Sequence, residues 1–199
     1  MSAVRKIRPD GFTLIELLIA IAIFSITMTY GVSSYRSWVL NSQIRNAAES
    51  ISNGIMFARA EAVKCNVDVA FTLLDANSSW KVTNVNDCGD PAASGIPAGS
   101  TLESRPSSEG SKNVTVAVWA NTVLLPSGTG TVTFGNFGTV IPNATTPTKF
   151  VLSSTGSAAG VTLRPLRVEV GAGGDSRVCD PDSAITAKSP PDPRRCYMP

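Results

Sequence analysis

The sequence predicts an α+β protein in which one long N-terminal helix packs on an antiparallel β-sheet domain. An apolar run from Phe12 to Tyr35 continues into an amphipathic stripe that ends at Ala62, and no proline occurs between Pro9 and Pro91. The hydrophobic period then changes to two, and short strand-like segments follow, separated by turn residues. A helix followed by many short strands is typical of this fold class.

The composition argues against most enzyme mechanisms. The chain has 199 residues, a net charge of +2 and 16% charged residues, which favours neither a strongly basic nucleic-acid binder nor an acidic tail. Histidine is absent, which excludes Ser-His-Asp and Cys-His nucleophiles and His-ligated metals. We therefore predict no catalytic residue, no metal site and no cofactor, and expect a protein that acts through interactions.

The N-terminal segment has the features of a membrane anchor. Arg5, Lys6 and Arg8 precede the apolar run, and such a basic flank stays on the cytoplasmic side. At about 1.5 Å per helical residue, residues 12–35 are long enough to cross a hydrocarbon core of roughly 30 Å. A cleaved secretory signal has a shorter apolar core. The sequence therefore predicts a single membrane pass with the C-terminal bulk exported.

Glu16 is the one acidic residue in this apolar run. A carboxylate at bilayer depth costs on the order of 2 to 3 kcal/mol on insertion scales, so such a residue is by default a functional-site hypothesis. Its own segment contains no partner for the charge. We therefore expect the partner to come from another molecule.

The amphipathic stripe predicts that the helix continues beyond the membrane segment. The combined helix, from Thr13 to Lys64, would be on the order of 75 Å long. A coiled coil is the alternative, but the stripe fades after Ala62 instead of continuing for further heptads. Gly31 and Gly54 each cost roughly 1 kcal/mol relative to alanine and can mark a bend. The stripe consists of Ile44, Ala48, Ile51, Ile55, Ala58 and Ala62.

Period-two alternation predicts the strands of the exported domain. Residues 75–79 form the turn of a first hairpin, and residues 86–112 form a long surface loop with at most a short strand near Leu102. The proline-rich tail, residues 180–199, lacks regular structure. The predicted strands lie at 67–73, 80–85, 114–118, around Leu124, and at 131–134, 149–153, 166–170 and 177–179.

The four cysteines are expected to form disulfides. No C-x-x-C pair with metal-ligand spacing is present, and a chain exported across a membrane meets an oxidising compartment. More than one connectivity is open. We favour the two pairs that are local in sequence, Cys179 with Cys196 and Cys65 with Cys88.

Residues 11–16 (GFTLIE), with the basic leader before them and the apolar run after them, resemble the class III signal of type IV pilins and of the pseudopilins of type II secretion. The resemblance implies cleavage by a prepilin peptidase after Gly11 and N-methylation of the new terminus, Phe12. It also implies a role for Glu16 in assembly. The amine of Phe12 in a neighbouring subunit would then supply the missing counter-charge.

The rest of the chain resembles the minor pilin and pseudopilin branch called FimT/FimU and GspH. Residues 58–64 (ARAEAVK) match the R-x-E-A-x-K ending of the helix in that branch, and residues 177–181 (RVCDP) with 192–196 (DPRRC) match a disulfide-closed C-terminal segment. The resemblance implies the pilin fold. It also implies as partners other minor and major pilins, the prepilin peptidase, the inner membrane and its assembly platform.

Some FimT proteins bind DNA through a C-terminal G-R-x-R motif. Residues 174–177 (GDSR) occupy the comparable place, but Asp175 stands where the first arginine would be. Phosphate contacts need clustered cations, and nearby acids offset the basic side chains here. Pairing of the C-terminal arginines with adjacent aspartates is therefore favoured over DNA binding. The candidate DNA contacts are Arg164, Arg167, Arg177, Arg194 and Arg195.

These features together predict a minor type IV pilin, a structural subunit that takes part in initiating or capping pilus assembly. Residues 1–11 would be the leader peptide, residues 12–35 the transmembrane and assembly helix, and residues 36–199 a periplasmic globular domain in a protein of the inner membrane. A pseudopilin of a type II secretion system shares every N-terminal feature and is the first alternative. A DNA-binding pilin of natural transformation is the second.

Overall fold

The computed structural model describes residues 11–88, 95–126, 128, 130–156, 162–182 and 192–196, with the backbone alone at 29–33. The predicted leader, apart from Gly11, lies outside these residues. So do residues 183–191 and 197–199 of the predicted tail.

The longest element is the helix α1, Leu14–Cys65, of 52 residues. Thr13 has an extended backbone, and its hydroxyl caps the first turn by accepting a hydrogen bond from the amide of Glu16 at 3.3 Å. The helix ends where Asn66 enters the left-handed region at φ 54°. The predicted helix over residues 13–64 is confirmed, with each boundary shifted by a single residue.

The two halves of α1 have different surroundings. In the first half, the described side chains from Leu14 to Met28 are exposed around the whole circumference. Among the residues that the structure describes, no helix combines the length and the apolarity that crossing a membrane requires. In the second half, the predicted stripe is completely buried, with 0% exposure at Ile44, Ala48, Ile51, Ile55, Ala58 and Ala62.

Two antiparallel sheets cover the buried stripe, where the sequence predicted one. The first sheet has the strand order β3-β2-β1-β6 and the second has the order β5-β4-β7-β8-β9. All paired strands are antiparallel. The strands are β1 Val69–Leu73, β2 Trp80–Asn84, β3 Thr101–Arg105, β4 Val114–Ala120, β5 Val123–Leu124, β6 Thr131–Phe134, β7 Lys149–Ser154, β8 Leu166–Val170 and β9 Ser176–Cys179.

The predicted first hairpin is confirmed. In its turn, the carboxylate of Asp75 accepts hydrogen bonds from the amides of Asn77 at 2.8 Å and Ser79 at 3.0 Å, which is the local pairing that makes aspartate a good turn residue. The strands β1 and β2 pair from Leu73 and Trp80 at the turn outward. The expected short strand near residue 102 is β3, which pairs with β2 and forms an edge of its sheet.

The hydrophobic core lies between α1 and the two sheets. Phe71 of β1 contacts both Trp80 of β2 and Phe150 of β7, at ring-centroid distances of 5.6 and 6.0 Å. The indole N–H of Trp80 donates a hydrogen bond to the hydroxyl of Ser50 on α1 at 2.8 Å. The first sheet, the second sheet and the helix therefore meet in one packed centre, and the buried polar atom of Trp80 is satisfied.

The two predicted disulfides are both present. Cys65 at the end of α1 bonds to Cys88, and Cys179 at the end of β9 bonds to Cys196 in the tail. Next to the second disulfide, the backbones of Asp180 and Arg195 pair in an isolated parallel β-bridge. The described part of the tail is therefore held against the edge of the second sheet.

Candidate functional site

The predicted processing site lies at the start of α1 and is open to solvent. Gly11 and Phe12 precede the helix, and the side chain of Phe12 is 85% exposed. Glu16 lies in the first helical turn, where a carboxylate interacts favourably with the helix dipole. Its side chain is exposed, and among the described residues it forms no hydrogen bond or ion pair.

Apart from Glu16, Ser25 and Thr27, the exposed half of α1 from Leu14 to Met28 is apolar. A helix that is apolar all round is buried in lipid or among other helices. The hydroxyl groups of this half are also satisfied within the helix, since Ser25 donates to the carbonyl of Ile21 at 2.7 Å and Thr27 to that of Phe24 at 2.9 Å. Internal satisfaction of polar groups suits surroundings without water.

The helix-ending segment, residues 58–64, has a structural role that the sequence did not reveal. The Nε of Arg59 donates a hydrogen bond to the carbonyl oxygen of Gly138, in the turn after β6, at 3.1 Å. A Cβ at Gly174, in the β8–β9 turn, would overlap that same oxygen. Glu61 pairs with Lys64 at 3.0 Å. The close approach of the helix end to these two turns thus depends on Arg59 and on two glycines, Gly138 and Gly174, that occupy the left-handed region.

The five candidate DNA contacts do not form one basic surface. Arg167 lies on the outer face of the second sheet, 3.6 Å from the buried carboxylate of Glu169, and Glu169 faces Arg177 on β9. The guanidinium of Arg177 donates to the carbonyl of Pro193. Arg164 lies on a different side, in the segment before β8, where its amide donates to the side chain of Asn41 on α1.

The two remaining arginines belong to the tail. Arg194 makes a bidentate pair with Asp192, at 3.1 Å from Nε and 3.0 Å from Nη2. The hydrogen bond and the negative charge of Asp192 raise the pKa of Arg194 above its usual value. Arg195 lies in the bridge to Asp180. Much of the positive charge in this region is therefore matched by acids or carbonyl groups of the same chain.

Glu169 also lies beside the second disulfide. A carboxylate oxygen of Glu169 and the sulfurs of Cys179 and Cys196 fall within 4.8 Å of one another. Because the two sulfurs are bonded to each other, neither is a thiolate that could coordinate a metal. This cluster is therefore a structural anchor for the tail.

Two family models match the sequence. The family described as type II transport protein GspH matches residues 47–174, and the prokaryotic N-terminal methylation motif matches residues 8–31. No curated protein matches the chain.

Two solved structures are similar to this chain, both of the type IV minor pilin FimU from Pseudomonas aeruginosa strain PAO1. The crystal structure in space group P21 has 20% sequence identity and a TM-score of 0.42, and the match covers 77% of this chain and 95% of FimU. The structure in space group P65 has 20% identity and a TM-score of 0.41, with 77% and 99% coverage.

The methylation motif thus covers the segment that contains Gly11, Phe12 and Glu16, and the second match, to GspH, covers most of the buried half of α1 and the strands β1 to β8. Because that second match extends over more than half of the 199 residues, this chain belongs to the GspH family of minor pilins and pseudopilins.

Proposed function

We propose that the protein is a minor type IV pilin that acts in the initiation or capping of a pilus. It would cross the inner membrane once through residues 12–35, with the leader on the cytoplasmic side and residues 36–199 in the periplasm. Prepilin peptidase would cleave after Gly11, and Phe12 would become the methylated terminus. Its role would be structural, without catalysis, and its partners would be other pilins and the inner-membrane assembly platform.

One observation supports this proposal above the others. The first half of α1 is exposed and apolar on every side, yet it carries the unpartnered carboxylate of Glu16 in its first turn. Lipid covers the apolar surface but leaves the charge unpaired at a cost of about 2 to 3 kcal/mol. A bundle of such helices covers the same surface and also provides the amine of Phe12 from a neighbour.

The geometry of α1 sets the register of that pairing. Phe12 and Glu16 are four positions apart, which corresponds to about 6 Å along a helix. A neighbour displaced by about this distance would bring its terminal amine level with Glu16 of the first subunit. A buried pair contributes little net stability, but any other register would leave two buried charges unpaired. The pair would therefore select the register rather than supply the binding energy.

Substitution of Glu16 tests this proposal. The variant Glu16→Ala should still be cleaved and remain in the membrane fraction, but its recovery in sheared filaments should fall sharply. Glu49→Ala is the matched control, because Glu49 is an exposed acid of the same helix outside the apolar run. Normal recovery of Glu16→Ala, with normal piliation, would contradict the assembly role.

A pseudopilin of a type II secretion system is the second candidate, because the description of the matched family names that pathway. The two roles predict different deletion phenotypes. Loss of twitching motility with normal protein secretion supports the pilus role. Loss of protein secretion with normal twitching would contradict the pilus role and support the role in type II secretion.

DNA binding is not the function that the site favours. Arg167, Arg177 and Arg194 contact acids or carbonyl groups of their own chain, and non-specific DNA binding requires a cluster of available cations. We expect no retardation of a DNA duplex by the full-length protein in detergent at moderate salt. Retardation that weakens steeply as salt increases would restore the DNA-uptake hypothesis.

A further inference from the structure

A cleft lies between α1 and the disulfide-closed tail, at the end of the domain nearest to the apolar half of the helix. Its volume is about 290 Å³. Asn41 and Arg45 of α1 form one wall, Arg164 forms a second, and Asp180 and Arg194 form the third. Three arginines and one aspartate therefore line the same small space.

The charges of the cleft are only partly compensated. Arg194 is paired with Asp192 through two hydrogen bonds, and the carboxylate of Asp180 accepts a hydrogen bond from a backbone amide at 3.0 Å. Among the described residues, the guanidinium groups of Arg45 and Arg164 have no acidic partner. Two positive charges of the cleft thus remain available to an anion.

The position of Arg164 is fixed by side chains of α1. Its amide donates to the Oδ1 of Asn41 at 2.8 Å. The Nδ2 of Asn41 and the hydroxyl of Ser37 both donate to the carbonyl of Thr162, at 2.9 and 3.0 Å. The segment that carries Arg164 is therefore attached to α1 at Ser37 and Asn41, a short distance beyond the end of the apolar run.

Asn41 lies just beyond the headgroup layer of a membrane in which residues 12–35 span the hydrocarbon core. Asn41 is six positions beyond Tyr35, or about 9 Å along the helix, and the headgroup layer on each side of a bilayer is about 5 to 7 Å thick. An arginine side chain near Asn41 is long enough to bridge the remaining few ångströms to that layer. Tyr35 and Trp38 lie between the apolar run and Asn41, 66% and 67% exposed with ring centroids 6.1 Å apart, as aromatic residues do at membrane interfaces.

We propose that this cleft binds the phosphate of a phospholipid headgroup in the outer leaflet while the subunit resides in the membrane. Planar guanidinium groups suit phosphate oxygens because they donate two parallel hydrogen bonds. Arg164 makes the main contact, and Arg45, about 15 Å beyond Tyr35, lines the end of the cleft farther from the membrane. The inference rests on the proposed membrane anchoring. It adds that the headgroup is released when the subunit is extracted into a filament.

Native mass spectrometry of the full-length protein in detergent micelles tests the inference, with phosphatidylglycerol as the titrated lipid. Arg164→Ala should weaken lipid binding about fivefold, the factor expected for one basic side chain near an anionic surface, and Arg45→Ala should weaken it less. Arg105→Ala is the matched control because it removes the same charge from β3 in the first sheet, outside the cleft. It should leave the affinity unchanged.

Three results would overturn the inference. An equal loss in Arg105→Ala would show that only the overall charge matters. Equal losses in Arg164→Ala and Arg45→Ala, together with displacement of the lipid by inorganic phosphate, would indicate a free-phosphate site. Displacement by a DNA duplex at lower concentration than the lipid would indicate nucleic acid. Arg164→Gln, which keeps hydrogen-bond donors, replaces Arg164→Ala if the latter melts at a lower temperature than the wild type.

The membrane proposal itself is tested separately by flotation of the same protein with liposomes. Failure of the wild-type protein to float would contradict the proposed anchoring. Flotation of the wild type together with an affinity for phosphatidylglycerol that does not depend on Arg164 would contradict the headgroup site alone.

Discussion

Replacing Gly54 with alanine should destabilise the domain, although alanine is the better helix former. A Cβ at this position would lie 2.9 Å from a ring carbon of Phe71 and 3.0 Å from two ring carbons of Trp80. Neither ring is free to withdraw, because Phe71 also packs against Phe150 and the indole N–H of Trp80 is bonded to Ser50. The absence of a side chain is therefore what allows the helix to approach the first sheet.

The magnitude follows from two opposing effects. Alanine gains about 1 kcal/mol over glycine from helix propensity, whereas overpacking a core costs about 1 to 3 kcal/mol. The upper part of that range applies here, because a shift of Trp80 would also weaken a hydrogen bond worth about 1 kcal/mol. We expect the free energy of unfolding to fall by about 2 kcal/mol, which corresponds to a melting temperature lower by about 4 to 8 °C.

Thermal unfolding of the full-length protein in detergent micelles, followed by near-ultraviolet circular dichroism, measures this effect. Asn53→Ala is the matched control, since Asn53 is the preceding residue of α1 and is exposed. It gains helix propensity without a steric conflict and should be slightly stabilising. If Gly54→Ala raised the melting temperature as much as Asn53→Ala, the close helix–sheet contact would not constrain this position.

Three further substitutions test the packing and the tail. Ser50→Ala leaves the indole N–H of Trp80 buried without a partner and should cost about 1 to 3 kcal/mol in denaturant unfolding, so an unchanged midpoint would contradict that hydrogen bond. Cys179→Ser opens the bond to Cys196, should cost about 3 kcal/mol and should expose the tail to proteases, whereas retained protease resistance would contradict the anchoring role of the disulfide. Arg59→Ala should accelerate amide hydrogen exchange in the turn after β6, and an unaltered exchange rate would show that other contacts hold that turn.

The helix could be predicted from the sequence because its signals are local. The uninterrupted stretch without proline and the recurrence of apolar residues from Ile44 to Ala62 required one continuous helix with one buried face. The strands likewise followed from alternation. Their division into two sheets did not, because pairing partners such as β1 and β6 are distant in sequence and local patterns carry no information on which strands meet.

Glycines and polar cross-links were the least predictable features. From the sequence, Gly54 indicates only a bend or a local softening of the helix; the structure adds that its missing side chain allows a close approach to Phe71 and Trp80. The hydrogen bond from Arg59 to Gly138 joins residues 79 positions apart. Such contacts depend on tertiary packing, which single-residue preferences do not encode.

Part of the candidate site followed from the sequence. The two disulfides are present as predicted, whereas cleavage after Gly11, methylation of Phe12 and the assembly role of Glu16 stay predictions. Residues 11–16 form a contiguous motif. Its position, charge and hydrophobicity could therefore be compared directly with those of the class III signal of type IV pilins.

The sequence around the C-terminal arginines did not indicate which of them would lie together in the fold. The sequence places Arg164 and Arg167 three residues apart, but the entry into β8 sends the first to the cleft beside Asn41 and the second to the sheet face beside Glu169.

Mass spectrometry of the N-terminal peptide from sheared surface filaments tests the central claim most directly. The account predicts that the incorporated chain begins at Phe12, that its terminal amine carries a methyl group, and that residues 1–11 are absent. An incorporated chain that begins at Met1, or one cleaved after the apolar run, would contradict the pairing of Glu16 with a neighbouring terminus.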